Sequence, residues 1–379
     1  MLVWTDVASD ARVRREAETL AAVGHQVHIV GRAVPPTYQP AAGITVSSAG
    51  QAPTSDVSPR SRPAPLRAAR WLLLPRHVRR RVERWALEAM ADARSRSFDA
   101  VHAHDFTALP VGAALAQERA VPLIYDAHEF WPGRPRVSRP APWRQWLDQR
   151  QEARLGAQAH AVLTVGPGLA ELLRDVYGWP NVQVVRNSFP MPTDERPQLG
   201  PPTGAVYAGR IAAYRELETV IAAADLLPAL DVTLVGPADA AYLARLQKGR
   251  VRVLPSVALD DAVDMMRTAG LALVTHSDRW INHRLALPNK LFLAVRAGVP
   301  VVATDVPELR RVVSEHGLGT LYRPGDAGSL AAAITDVIEG HAGYTQQVLA
   351  ARPALSWEAD APTLLGVYAA GSTPRSSVE

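Results

Sequence analysis

Leu287-Pro288-Asn289-Lys290-Leu291-Phe292-Leu293-Ala294-Val295-Arg296-Ala297-Gly298-Val299-Pro300-Val301-Val302-Ala303 contains a helix that starts near Asn289 and an apolar strand over 301–303. The same unit recurs along nearly the whole chain. Strands are expected at 205–208, 232–235, 251–254, 271–275, 301–303 and 319–322, and a helical pattern fills each gap between them. Short apolar runs alternating with helices mark parallel sheets covered on both faces, so the fold class is α/β, with doubly wound, Rossmann-like sheets. Such a domain binds ligands at the carboxyl ends of its strands, where helix N-termini present free N–H groups.

The first half follows the same pattern with more interruption. Residues 2–4 form a strand, and Asp10 caps a helix whose apolar face is Val13, Ala17, Leu20 and Val23 and which Gly24 stops. Residues 27–30 are the next strand. Beyond a proline-rich, weakly patterned region over 35–65, strands are expected at 100–103, 123–125, 161–165 and 182–185, with helices from Thr107 and from Gly168. At 379 residues the chain exceeds the length at which one core keeps growing. The expected division is a first domain over 1–187, a proline-rich linker over 188–202, a second domain over 203–343 and a helical segment over 344–379.

Composition removes several chemistries. There is no cysteine, which excludes disulfides, thiolate catalysis and cysteine-ligated zinc or iron–sulfur sites. No apolar run approaches the roughly eighteen residues of a membrane span. Met1-Leu2-Val3-Trp4-Thr5-Asp6 lacks the basic region of a signal peptide, so a cytoplasmic location is expected. Net charge is only +4, and the one concentrated basic stretch runs from Arg60 to Trp85, interleaved with Leu66, Trp71, Leu72, Leu73 and Leu74. That stretch either makes a peripheral contact with an anionic inner membrane face or forms a solvated helix beside a cleft. Arginines confined to one segment, with no recognition motif, do not suit nucleic-acid binding.

No Gly-x-Gly-x-x-Gly follows the first strand and no Walker-type loop occurs, so dinucleotide redox chemistry and P-loop hydrolysis lose their support. Tyr207-Ala208-Gly209-Arg210 ends a strand, with Arg215 five residues on, before a helix near Glu216. Two guanidiniums beside a helix N-terminus suit a diphosphate; on spacing alone, two arginines in so arginine-rich a chain are more often surface residues. His104 ends a strand, where an imidazole either serves a sugar hydroxyl or is a hydrogen-bonded structural residue. Asp105 either assists it or caps a helix.

These segments together resemble glycosyltransferase family 4, of the group 1 retaining type. Asp10-Ala11-Arg12-Val13-Arg14-Arg15-Glu16-Ala17 with Gly24-His25 is similar to the family's opening helix. His102-Ala103-His104-Asp105 and Tyr125-Asp126-Ala127-His128-Glu129 resemble its two cleft-edge loops. Leu287-Pro288-Asn289-Lys290-Leu291-Phe292 and Ala297-Gly298-Val299-Pro300-Val301-Val302-Ala303 resemble the donor-site helix and the strand after it. The resemblance implies a GT-B architecture of two Rossmann-like domains facing across a cleft. It assigns the donor diphosphate to Gly209, Arg210, Arg215, Asn289 and Lys290, and the donor sugar to His104, with Asp105 and Glu129 orienting it or binding the acceptor. The family's two glutamates for sugar and ribose fall on Leu285 and Leu293; Asp278, Asn282 and Arg284 lie close enough in sequence to compensate.

The implied activity is transfer of a sugar from a nucleotide-diphosphate donor to a hydroxyl acceptor, with retention, no metal and no cofactor. The acceptor is a sugar, a lipid-linked sugar or a natural product. A catalytically silent GT-B auxiliary protein and a sugar-nucleotide epimerase are the alternatives.

Overall fold

A computed structural model of the protein describes residues 1–50, 80–134, 142–192 and 200–371. Most of the basic stretch from Arg60 to Trp85, and residues 193–199 of the expected linker, lie outside them. The first half contains β1 (Val27–Arg32), β2 (Ile44–Ala49), β3 (Val101–His104), β4 (Leu123–Ala127), β5 (Ala161–Thr164) and β6 (Val182–Val184). Leu2 bridges Val30 on one side and Ala103 on the other, both in parallel. The chain start therefore joins β1 to β3, and the all-parallel order is β2-β1-Leu2-β3-β4-β5-β6. The expected strand over 2–4 is present as this bridge. β2 was not expected, because Ile44-Thr45-Val46-Ser47-Ser48-Ala49 sits at the sheet edge and buries only its end residues, so it lacks an apolar run.

The second half contains β7 (Gly204–Ala208), β8 (Asp231–Val235), β9 (Arg252–Leu254), β10 (Ala272–Val274), β11 (Val301–Thr304) and β12 (Gly319–Tyr322). Their order is β12-β11-β10-β7-β8-β9, again all parallel. Order reverses between β7 and β10, the crevice where doubly wound sheets bind ligands. In the first half the equivalent reversal lies between Leu2 and β3.

Strand residues alternate between two cores on each sheet. Tyr125 and Val162 pack under the helices 80–94, Asp105–Arg119 and Pro167–Tyr177, while Ile124 and Leu163 pack under Ala11–Ala22. In the second half Val206 and Val301 face one helical layer and Tyr207 and Val302 the other. A strand buried on both faces reads as a continuous apolar run, which is why β11 was legible. Trp85 is fully buried with its ring edge-on to Trp4 at 5.6 Å, so it belongs to the core and offers no contact to a membrane. No helix among the described residues is long and apolar enough to cross a membrane.

Helix His341–Ala351 packs on the second half, whereas Trp357–Gly371 lies on the first, where Trp357, Leu364 and Val367 join Val13, Ala17 and Leu20. Its polar ties include Trp357 Nε1 to Thr19 Oγ1 at 2.8 Å and an ion pair of Asp360 with Arg186, also 2.8 Å.

Candidate active site

At the first sheet's reversal point, helix Ala11–Ala22 begins where Asp10 accepts a bond from the Val13 amide. This directs Arg12 and Glu16, one turn apart, at the ends of β3 and β4. Arg12 forks onto Asp126, Nε to Oδ2 at 2.7 Å and Nη2 to Oδ1 at 2.8 Å, and gives Nη1 to the Val185 carbonyl at 2.7 Å. Burial opposes the Asp126 charge, but Arg12 and His128 overcome it and hold the carboxyl well below its usual value. Glu16, 3.0 Å from Arg12 Nε, is pushed up to about 7, chiefly by burial.

His104 is fully buried, its Nδ1 3.1 Å from Asp126 Oδ2 and its ring stacked on His102 with centroids 4.2 Å apart. Its ring is thus held from both sides, by the Asp126 carboxylate and by the stacked His102. The histidine at the surface is His128, with 22% of its side chain exposed, 2.8 Å from Asp126 and 3.4 Å from Asp105. Burial works against its charge, yet the Asp105 and Asp126 carboxylates raise it well above the ordinary imidazole value. Asp105 does not cap its helix; it is the first helical residue, with φ at +62°, and its carboxylate goes to His128. Glu129 turns away from this group, ion-paired with Arg134 at 2.9 Å, and burial raises it.

The second sheet presents a different set. Gly209 follows β7, and a Cβ on Gly236 would stand 2.2 Å from the Gly209 carbonyl oxygen, so the loops after β7 and β8 need glycine to touch. Tyr214 and Glu216, both with left-handed φ, carry Arg215 into the crevice. Arg215 Nη1 lies 2.7 Å from His276 Nε2, and its carbonyl accepts from Thr275 at 2.6 Å. Lys290 is 7% exposed, donates to the Thr275 carbonyl at 2.7 Å and stands 4.9 Å from the Tyr207 ring centre. Burial first, and Arg215 second, push Lys290 well below the usual lysine value. Burial and then the same two cations press His276 far down and His283 to about 4. Among the described residues, Lys290, Arg215 and Arg210 have no carboxylate at ion-pair distance. Asn289 is exposed at the first turn of its helix, where no side chain caps the free amides.

The structure therefore brings Gly209, Arg215 and Lys290 together, with Asn289 at the adjoining helix start and Arg210 exposed at the same strand end. His104, Asp105 and His128 gather around Asp126, and Glu129 faces the other half. Leu293 is buried in the apolar core, and Leu285 is half-buried, its Cδ2 3.1 Å from where a Cβ on Gly168 would lie. Neither offers a polar group to a ribose or a sugar. The Asn282 amide is spent across the cleft, with Oδ1 accepting from the Phe130 amide at 3.0 Å and Nδ2 donating to its carbonyl at 2.8 Å. Nearby, Glu308 Oε2 accepts from the Gly168 amide at 3.1 Å. Sequence reasoning missed Arg12, Glu16, Asp126, His276 and His283 as site residues. Arg12 and Glu16 carried one available signal, a buried ion pair at helical i,i+4 spacing pointing to strand ends.

Residues 9–189 match the family model described as "Glycosyl transferase 4-like domain", and residues 202–340 match "Glycosyl transferases group 1". A glycogen synthase of Mycobacterium tuberculosis is 25% identical over 386 residues, covering 94% of this chain and 90% of that protein. Among solved structures, sucrose-phosphate synthase from Thermosynechococcus elongatus superposes with a TM-score of 0.72 at 19% identity, over 97% of this chain and 98% of the other. HepE of Anabaena, solved with UDP-glucose, gives 0.68 at 15% identity over 97% and 99%. Both neighbours share the GT-B architecture of two parallel-sheet α/β domains.

Proposed function

This chain belongs to the group 1 glycosyl transferases, and from that premise we propose that it moves a sugar from a nucleotide-diphosphate donor to a hydroxyl of a sugar-type acceptor. The donor diphosphate lies against Gly209, Arg215, Lys290 and the first turn at Asn289, with Arg210 at the rim. The observation that carries this is the pair of cations at the reversal point of the second sheet, Lys290 buried and Arg215 beside it, with no carboxylate at ion-pair distance among the described residues. A buried cation without a counter-charge is held at a loss in the empty protein, and a diphosphate removes that loss on binding. UDP and UDP-glucose bound to HepE support a nucleotide sugar as donor.

The same cations stabilise the departing diphosphate, so no divalent ion is needed there. Retention follows from a departing phosphate that itself takes the acceptor proton. The acceptor lies on the first half at His128 and Glu129; His104 acts from behind, fixing Asp126 and through it His128. With leucine at 285 and 293, the ribose and sugar are held by groups other than carboxylates at those positions. Domain closure excludes water from the donor.

The test is a thermal-shift series with nucleoside diphosphates, nucleotide sugars and the parent nucleosides. Diphosphates and nucleotide sugars should raise the midpoint and nucleosides should not; equal shifts from nucleosides would refute the diphosphate site. Added magnesium or manganese should leave the transfer rate unchanged.

A further inference from the structure

Helix Pro142–Gly156 is built inside out. Gln145, Asp148, Glu152 and Leu155 recur at helical spacing on the side that packs against helix Asp105–Arg119 and the turn Trp131–Gly133. Gln145 Nε2 donates to the Pro132 carbonyl at 2.6 Å, Asp148 accepts from Trp131 Nε1 at 3.4 Å, and Glu152 is fully buried against the Tyr125 and Tyr177 hydroxyls. The opposite side, at positions 143, 147, 150 and 154 with 146 beside them, holds the large apolar groups. Trp143 is 71% exposed, Trp146 42% and Leu147 47%, and the two indoles stack with centroids 5.0 Å apart. A surface helix ordinarily turns such residues inward, and leaving three of them together in water is unfavourable. The charges on the outer side have one sign. Arg144, Arg150 and Arg154 are all exposed, and among the described residues none has a carboxylate at ion-pair distance. The Arg150 guanidinium lies 4.6 Å from the Trp146 ring centre, level with the indoles.

We propose that this face docks on an anionic lipid bilayer, with Trp143, Trp146 and Leu147 entering the headgroup layer and Arg144, Arg150 and Arg154 meeting lipid phosphates. Indole rings suit the level of the headgroups, and guanidiniums pair with phosphate oxygens, so rings and cations are used together. A neutral sugar polymer would stack on the rings and leave the cations without a partner. In a two-fold dimer the face would meet itself, bringing like charges together. A membrane contact was expected at Arg60–Trp85, where Trp85 is buried; the exposed indoles stand on another helix. This helix begins beside Trp131–Gly133, and a Cβ on Gly133 would stand 2.3 Å from Ile281 Cγ2 of the second half, so the docked face borders the mouth of the crevice. An acceptor carried in the bilayer then approaches from the side of Glu129. That approach rests on the transferase reading; the docking does not.

The experiment sediments the full chain, without an affinity tag, with sucrose-loaded vesicles of phosphatidylcholine containing about one-third phosphatidylglycerol, and with vesicles of phosphatidylcholine alone. At roughly fivefold for each arginine, partition onto the anionic vesicles should be about a hundredfold stronger, and high salt should erase the difference. Trp143→Ala with Trp146→Ala should weaken partition by about tenfold or more. Its thermal midpoint and its nucleoside-diphosphate affinity should match the parent's, because both side chains are exposed. Arg150→Gln with Arg154→Gln should remove about twenty-fivefold of the anionic preference, and it decides the matter where the tryptophan pair fails to fold. Partition that is unchanged in every variant that folds places the contact elsewhere and overturns the proposal. Absence of sedimentation with anionic vesicles also overturns it; retardation in a polysaccharide gel, or a dimer that the tryptophan pair dissociates, would then assign the face to a sugar polymer or to a second copy.

Discussion

At the ends of β3 and β4, Arg12 and His128 each stand within 2.8 Å of Asp126, and Asp105 lies 3.4 Å from His128. At the ends of β7 and β10, Arg215 and Lys290 stand beside two histidines whose charging burial and these cations suppress, with no carboxylate among the described residues at ion-pair distance to balance them. Both places are reversal points of parallel sheets, and both are largely buried. The difference teaches where the chain satisfies its own charges and where it leaves them for a ligand. Breaking an internally paired cluster should damage the fold; removing an unpaired cation should damage binding and spare the fold.

The largest effect is expected at Asp126, the carboxylate that joins Arg12, His104 and His128. Asp126→Asn should lower unfolding stability by about 4 kcal/mol in a denaturant titration, because it leaves Arg12 buried without its counter-charge. A loss below about 1 kcal/mol would erase the contrast between the halves.

Next comes Glu152, a fully buried first-half carboxylate whose partners are the hydroxyls of Tyr125 and Tyr177 instead of a cation. Burial pushes it up to about 7. A folded value above the unfolded one means that the stabilisation is complete below about 4.5 and is lost as pH rises through 7; the shift corresponds to about 3 kcal/mol. Glu152→Gln should therefore be more stable than the parent at pH 8, and the gap should close toward pH 5. A gap independent of pH would show Glu152 ionised throughout.

The smallest effect is expected at the neutral link across the cleft. Asn282→Ala removes two hydrogen bonds to the Phe130 backbone, and about 1 kcal/mol of local protection, roughly fivefold in exchange rate, should vanish from the Phe130 amide. Unchanged exchange would mean that the link is not maintained in solution.

The sheets were legible because β11 and its neighbours are apolar on both faces, and β2 was hidden because an edge strand with a polar middle has no period to read. The two cations of the second half were placed by local sequence. Arg215 lies in the loop between β7 and the next helix, and Lys290 in the first turn of the helix that Leu287-Pro288-Asn289 opens. The first-half cluster was not so placed, since Arg12 and Asp126 are 114 residues apart and their pairing exists only in the folded sheet. His104 was placed at the correct strand end, but depth below the surface is not written in a strand-end position. Leu285 and Leu293 marked a departure from the family pattern, and the structure shows the physical form it takes, an apolar contact on Gly168 and a core side chain.

The contrast is tested most directly by Lys290→Met, measured twice on the same preparation. Calorimetric titration with a nucleoside diphosphate should show affinity reduced by about a hundredfold, near 3 kcal/mol, while the thermal midpoint of the ligand-free variant stays equal to or above that of the parent. Retained affinity together with a lowered midpoint would make Lys290 a structural cation and remove the basis for placing the diphosphate there.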